Sequence, residues 1–210
     1  MSLPCPLCHH ASTSFCKFKT RMYYECTNCK AIFLNPSQYM DFESEEKHYR
    51  FHNNDVEDIG YQNFVSPITR SILNDFTPQH SGLDFGAGTG SAIAKVLTDN
   101  NYQIVQYDPY FHDYPELLKK QYDYIACCEV VEHFHHPAKE FEMLRKLLLS
   151  GGKLYIMTHL YTPVLDFASW YYKNDHTHVF LYQKETMEWI AKTFGFSDVL
   201  IDNRLIVFTN

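Results

Sequence analysis

The chain has 210 residues, with 18 Lys+Arg against 25 Asp+Glu, and carries a net charge of −7 with its 12 histidines neutral. Apolar residues make up 45% and aromatics 16%, which excludes a disordered or fibrous chain, because such chains lack the apolar area that offsets ordering entropy. The acidic balance excludes a broad nucleic-acid surface, whose affinity rests on Lys and Arg at phosphates, and the length fits one medium domain with a small satellite.

In chain order, the first residues lack the basic and apolar runs of a secretory signal. No stretch approaches the roughly 18 apolar residues that span a bilayer. The expected location is therefore cytoplasmic, where seven cysteines read as metal ligands or buried thiols rather than disulfides. Five of them fall in residues 1–40. Cys5-Pro-Leu-Cys8 and Cys26-Thr-Asn-Cys29 form two C-x2-C knuckles separated by 17 residues. Each knuckle aims two thiolates at one point, and four thiolates meet zinc's tetrahedral preference. With every position filled by protein the ion is structural, holding a segment too short for its own core. Cys16, His9 and His10 are spare donors of low weight.

Residues 41–78 read as a connector that packs on the main domain. It opens acidic and passes to a helix over 66–76, whose Ile68, Ile72, Leu73 and Phe76 share one face. From residue 79 onward short β-like runs alternate with helices, the pattern of a mainly parallel, doubly wound α/β sheet. Strands are predicted at 82–85, 103–107, 122–128, 153–158, 199–201 and 205–209, and helices at 91–98, 137–149 and 184–194. Cys127 and Cys128 sit in a predicted core strand as buried thiols. Only 14 residues separate Asp108 from Asp123, where such a sheet needs helix, strand and helix, so its middle is read as shortened.

The run Leu83-Asp84-Phe85-Gly86-Ala87-Gly88-Thr89-Gly90-Ser91 follows a predicted strand and opens a predicted helix, the context in which glycines let backbone approach a cofactor. Its spacing is G-x-G-x-G, not the G-x-G-x-x-G of dinucleotide binders, which disfavours a nicotinamide oxidoreductase. Asp84 beside the loop suits a cationic ligand and repels a pyrophosphate. Asp108, twenty residues beyond Gly88, ends a strand where an acid accepts ribose hydroxyls.

These residues resemble the class I S-adenosylmethionine-dependent methyltransferases. Leu83 to Gly90 is similar to that family's cofactor loop, Tyr107-Asp108 to its ribose acid, and Glu129-Val-Val-Glu-His133 to its E-V-x-E-H segment. Residues 147–158, with Gly151-Gly152, resemble its L-x-P-G-G-x-L block, with Ser150 in place of proline. Within the family the closest likeness is to ubiquinone-type and other small-molecule methylases, and the cysteine-rich start resembles a zinc-ribbon subgroup. His52-Asn-Asn and Asp175-His-Thr-His178 are also similar to that subgroup. The resemblance implies a Rossmann-like domain over 79–210 behind a zinc ribbon over 1–40. It implies S-adenosylmethionine as cofactor, S-adenosylhomocysteine as product, and contacts from Asp84, Gly86, Ala87, Gly88, Gly90, Asp108, Pro109, Cys128 and Glu129. In some ubiquinone-type methylases a cluster like Glu129, Glu132 and His133 holds a divalent cation; two carboxylates and an imidazole suit one, and the preferred reading here leaves them without it.

Methyl transfer from a sulfonium is an in-line displacement, so positioning and a dry pocket supply most of the acceleration. A hydroxyl or phenol acceptor also needs a base near neutral pH, and His133, at the end of a predicted strand, is the candidate. His178 and Asp175, with Trp170, Tyr171 and Tyr172, read as a lid over the acceptor. His52 and Asn53 are candidates to reach the pocket from the connector. The expected enzyme is a methyltransferase acting on a small molecule, through oxygen, without a membrane or nucleic-acid partner. The competing reading is a ribbon-guided methylase or S-adenosylmethionine-binding module directed to a protein or RNA, for which Lys17, Lys19, Arg21 and Lys30 are the main ribbon cations.

Overall fold

The computed structural model describes residues 2–51 and 54–210. Three antiparallel strands open the chain: β1 (Ser12–Phe18), β2 (Arg21–Cys26) and β3 (Ile32–Leu34). Two helices follow, α1 (Phe42–Tyr49) and α2 (Ile59–Asp75). The main sheet is built by β4 (Ser81–Phe85), β5 (Gln103–Tyr107), β6 (Tyr122–Cys128) and β7 (Leu148–Met157), interleaved with α3 (Ala92–Asp99) and α4 (Pro137–Lys146). A two-residue strand β8 (Phe180–Leu181), helix α5 (Lys184–Phe194), β9 (Asp198–Asp202) and β10 (Leu205–Thr209) complete the chain.

The six-stranded sheet runs in the order β5-β4-β6-β7-β10-β9. Its first three pairings are parallel and the two made by β10 are antiparallel. Alternate residues face opposite layers. Leu83, Phe85, Ile125, Cys127, Leu154, Ile156 and Phe208 pack with Phe141 and Leu144 of α4 and Met187 and Ile190 of α5. Tyr124, Ala126, Tyr155 and Met157 pack with Val65, Ile68 and Ile72 of α2 and Ile93 and Leu97 of α3. The shortened middle is borne out: beyond β5 the sheet stops, and a single 3-10 turn, Pro115–Lys119, spans the gap to β6.

Several predicted bounds move. The connector helix begins at Ile59 rather than residue 66, because Asp58 caps it by accepting a bond from the Gly60 amide at 2.7 Å and Pro67 sits on its exposed face. Helix α4 ends at Lys146 and β7 starts at Leu148, before the glycine pair, since Gly151 donates its amide to Asn210 O at 2.9 Å and Leu148 pairs with Tyr122. The acidic opening of the connector, read only as a charged stretch, is helix α1, capped by Asp41, whose side chain accepts from Ser44 N at 2.8 Å.

Strand β8 belongs to the other sheet, ordered β1-β2-β3-β8. Ile32 pairs with Leu181 and Phe33 with Phe180. Tyr23 and Phe33 of that sheet join Leu83 and Phe208 of the main sheet in one continuous apolar core.

Candidate active site

Four thiols of the small sheet converge. Cys5 Sγ lies 3.6 Å from Cys29 Sγ and Cys8 Sγ 3.2 Å from Cys26 Sγ, and all four lie within 4.8 Å of one another. Tetrahedral zinc with Zn–S near 2.3 Å places sulfurs about 3.8 Å apart, so the donor set and its spacing fit that ion. Cys5, Cys26 and Cys29 are buried.

The main cleft has a volume of about 1180 Å³ and opens at the carboxyl ends of β4, β5 and β6. Its floor is the glycine loop. Gly86 holds φ +81°, and a Cβ built there would stand 2.4 Å from the Val130 side chain, so only glycine fits. Asp108 pins this loop: Oδ2 accepts from Gly88 N at 2.9 Å, while Oδ1 accepts from Tyr110 N at 2.9 Å and Phe111 N at 3.1 Å. A carboxylate offers about four acceptor positions, so one on Oδ2 remains for a ligand hydroxyl. Gly86, Ala87, Gly88, Asp108, Pro109, Cys128 and Glu129 all line the cleft.

Two expected cofactor residues are placed differently. Gly90 is not among the lining residues, and Asp84 is buried behind the loop, where its carboxylate accepts from the Ser91 hydroxyl. Ser91 caps α3 by accepting from Ala94 N at 2.9 Å. Burial pushes the Asp84 carboxyl up to about 6, so its chemistry is that of a buried brace between loop and helix.

His133 and His178 line the same cleft, their rings 4.8 Å apart. His178 Nδ1 lies 2.7 Å from Tyr172 O, and His133 Nδ1 lies 3.1 Å from Thr177 O. A carbonyl only accepts, so the His178 ring carries its proton on Nδ1 and its basic lone pair on Nε2. The Tyr49 hydroxyl is 3.1 Å from His133 Nδ1. Burial lowers the pKa of His178 and favours its neutral form. Asp175 shapes the segment between them: its Oδ1 accepts from Thr177 N at 2.8 Å and Thr177 Oγ1 at 2.6 Å, and despite burial these bonds hold its carboxyl well below the usual range.

Glu132 lies beneath, fully buried, taking bonds from the Tyr172 hydroxyl and from Thr158 Oγ1 at 3.1 Å. Burial, then the neighbouring Glu129, pushes it up to about 8. Glu129 instead accepts from Arg204 at 2.5 Å. The three metal-ligating side chains that converge are Glu132, His133 and His178, not Glu129, Glu132 and His133. Glu132 already accepts from two hydroxyls, and no divalent cation is assigned to this group.

Sequence reasoning missed Tyr49, Glu45 and Tyr110. Glu45 Oε2 accepts from the Tyr110 hydroxyl at 2.7 Å and Oε1 lies 2.9 Å from His135 Nε2. The Asp41-x-x-Ser44 start of α1 was the available signal, since it places Glu45 and Tyr49 one turn apart on one face. His52 and Asn53 lie outside the described residues; their neighbour Asn54 lines the cleft.

A mainly parallel sheet with a glycine-floored cleft at its strand ends, and an acid at the end of the second strand, defines a class I S-adenosylmethionine-dependent methyltransferase. Residues 47–201 match the family described as "Methyltransferase domain", and the chain belongs to it. The fold is similar to that of a SAM-dependent methyltransferase from Archaeoglobus fulgidus, at 17% identity and TM-score 0.55 over 81% of this chain and 100% of that one. It is also similar to an O-methyltransferase family protein from Burkholderia thailandensis, at 13% identity and TM-score 0.54 over 79% and 61%. A third likeness is to phosphoethanolamine N-methyltransferase 2 of Haemonchus contortus in complex with S-adenosyl-L-methionine, at 20% identity and TM-score 0.51 over 80% and 44%. No curated protein matches the chain in sequence. Among the described residues no helix is long and apolar enough to cross a membrane.

Proposed function

We propose that the enzyme methylates an oxygen of a small, non-anionic acceptor, with His133 as the base. One observation carries this reading: a single cleft is lined both by Gly86 and Asp108 and by the paired imidazoles of His133 and His178. Bound S-adenosylmethionine supplies an electrophilic methyl group. Gly86, Ala87 and Gly88 give it a close backbone surface, and Asp108 accepts a ribose hydroxyl on its remaining position. His133 takes the acceptor's proton, and His178 orients the acceptor beside it. Tyr172, Tyr49 and Phe64 line the walls and limit water.

The class of acceptor follows from charge. Asp41, Glu45, Asp108, Glu129, Glu140 and Asp175 line the cleft, and no Lys or Arg does among the described residues. Of these Glu129 is paired with Arg204 and Glu45 lies beside His135, yet carboxylates still outnumber lining cations, which disfavours an anionic acceptor and supports a neutral or cationic small molecule over nucleic acid. The relatives' fold is shared by O- and N-methylating proteins and leaves the acceptor atom to the site. We also propose that Cys5, Cys8, Cys26 and Cys29 hold a structural zinc within the ribbon.

The test is methyl transfer from deuterium-labelled S-adenosylmethionine to a panel of phenols, alcohols, amines and carboxylic acids, read by mass spectrometry. Label in phenols or alcohols, lost in His133→Ala while S-adenosylhomocysteine still binds, is the expected result. Label confined to amines refutes the oxygen assignment, and label confined to carboxylic acids, which are methylated on oxygen as anions, refutes the non-anionic one.

A further inference from the structure

The cysteine sheet does more than sit beside the cleft. Arg21 opens β2 and is buried, with 8% exposure. Its guanidinium donates to Asp175 O at 2.9 Å and also to Lys173 O. These two carbonyls bracket the segment between Tyr172, whose carbonyl accepts from His178 Nδ1, and Asp175, which shapes the turn through Thr177. On the same side the Lys173 ammonium lies 3.8 Å from the centre of the Phe18 ring in β1. Immediately after His178 the chain is captured again. Leu34 N donates to Val179 O at 2.8 Å, and β8 pairs with β3. The loop is thus gripped before and after its histidine by one small sheet.

We propose that Arg21 is a positioning residue for methyl transfer, and that the cysteine sheet, through Arg21 and β3, sets the curvature of the 171–178 loop and thereby the placement of His178. This rests on the reading of His178 as an acceptor-side group. The geometry explains why arginine stands here. A planar fork reaches two carbonyls two residues apart at once, whereas an ammonium is a single point of donation. Releasing the fork strands two carbonyls and lets the loop relax, while the glycine loop and Asp108, which Arg21 does not touch, keep their own bonds.

The test compares wild type with Arg21→Met, which keeps the aliphatic stem, and Arg21→Lys. Four readings are taken: amide hydrogen exchange over residues 171–178, the ring-nitrogen resonances of His178, calorimetric affinity for S-adenosylhomocysteine, and zinc content. Arg21→Met is expected to raise exchange in this loop at least tenfold and to replace the single Nδ1–H tautomer of His178 by a mixture. Affinity for S-adenosylhomocysteine stays within twofold and zinc content is unchanged. Arg21→Lys recovers part of the protection. With an acceptor in hand, kcat falls at least tenfold while KM for S-adenosylmethionine holds. Unchanged loop exchange and tautomer, or exchange raised evenly along the whole chain, overturns the proposal. Failure of the wild type to bind S-adenosylhomocysteine overturns the methyl-transfer reading instead, a result distinct from both.

Discussion

Glu132 is a carboxyl with no solvent, held by two hydroxyls and standing near a second carboxylate. Its ordinary value of 4.5 rises to about 8 in the fold, through burial and then Glu129. Between those values the folded protein keeps a proton that the unfolded chain has released. Its contribution is therefore fully present below about 4.5 and is lost as pH rises through about 8, at up to about 1.4 kcal/mol per pH unit. Glu132→Gln keeps the hydrogen bonds without the charge, so denaturant titrations at pH 5, 6.5 and 8 are expected to show a flatter stability profile than wild type. An equal slope refutes the assignment. Asp108→Ala removes the acceptor for three backbone amides as well as the ribose position, and S-adenosylhomocysteine affinity is expected to fall by about 1–3 kcal/mol in calorimetry; unchanged affinity contradicts the ribose role. Residues of this kind were unevenly legible in the sequence. Asp108 was singled out by its place after a strand and His133 by its place past a strand end, and both line the cleft. Glu132 was visible as a residue but not as a protonated one, because burial depends on Tyr172 and Thr158, which come from segments 26 to 40 residues away.

At the scale of elements, local signals worked where one short stretch decides the outcome. Strands β5, β6 and β10 and helix α5 fall where periodicity put them, and α5 stops at Gly195 with φ +75°. Strand β8 was missed, since two residues carry no period and their partner β3 lies about 150 positions earlier. Helix α1 was missed because its mostly polar face hides the pattern that marks α3. The cofactor loop offers a controlled contrast. Gly86→Ala meets both a positive φ and Val130 at 2.4 Å, so a loss of at least about 2 kcal/mol is expected, together with loss of S-adenosylhomocysteine binding. Gly151→Ala has φ +75° but no neighbour within 4 Å, and is expected to cost about 1 kcal/mol from backbone strain alone. Adding Val130→Ala to Gly86→Ala should recover part of the difference. Denaturation curves of the four proteins check this, and equal losses at the two glycines refute the steric account.

For the molecule as a whole, the two sheets share one apolar core. Phe15 and Tyr23 of the cysteine sheet pack edge-on against Phe167 at 5.0 and 5.1 Å, and Phe180 of that sheet meets Tyr182, which meets Phe141 of α4, which meets Phe208 of β10. Calorimetry is therefore expected to show a single unfolding transition, and a zinc chelator to lower its midpoint for the entire chain. Two separable transitions, with the main sheet indifferent to chelator, contradict a shared core. The same arrangement bears on anyone who trims the protein for crystallisation. A cut after residue 40 discards the hydrogen-bonding partner of β8 and bares Phe180 and Leu181. The remaining fragment would present a sticky, unpaired strand edge to its neighbours and is best obtained, if at all, with the first forty residues left in place.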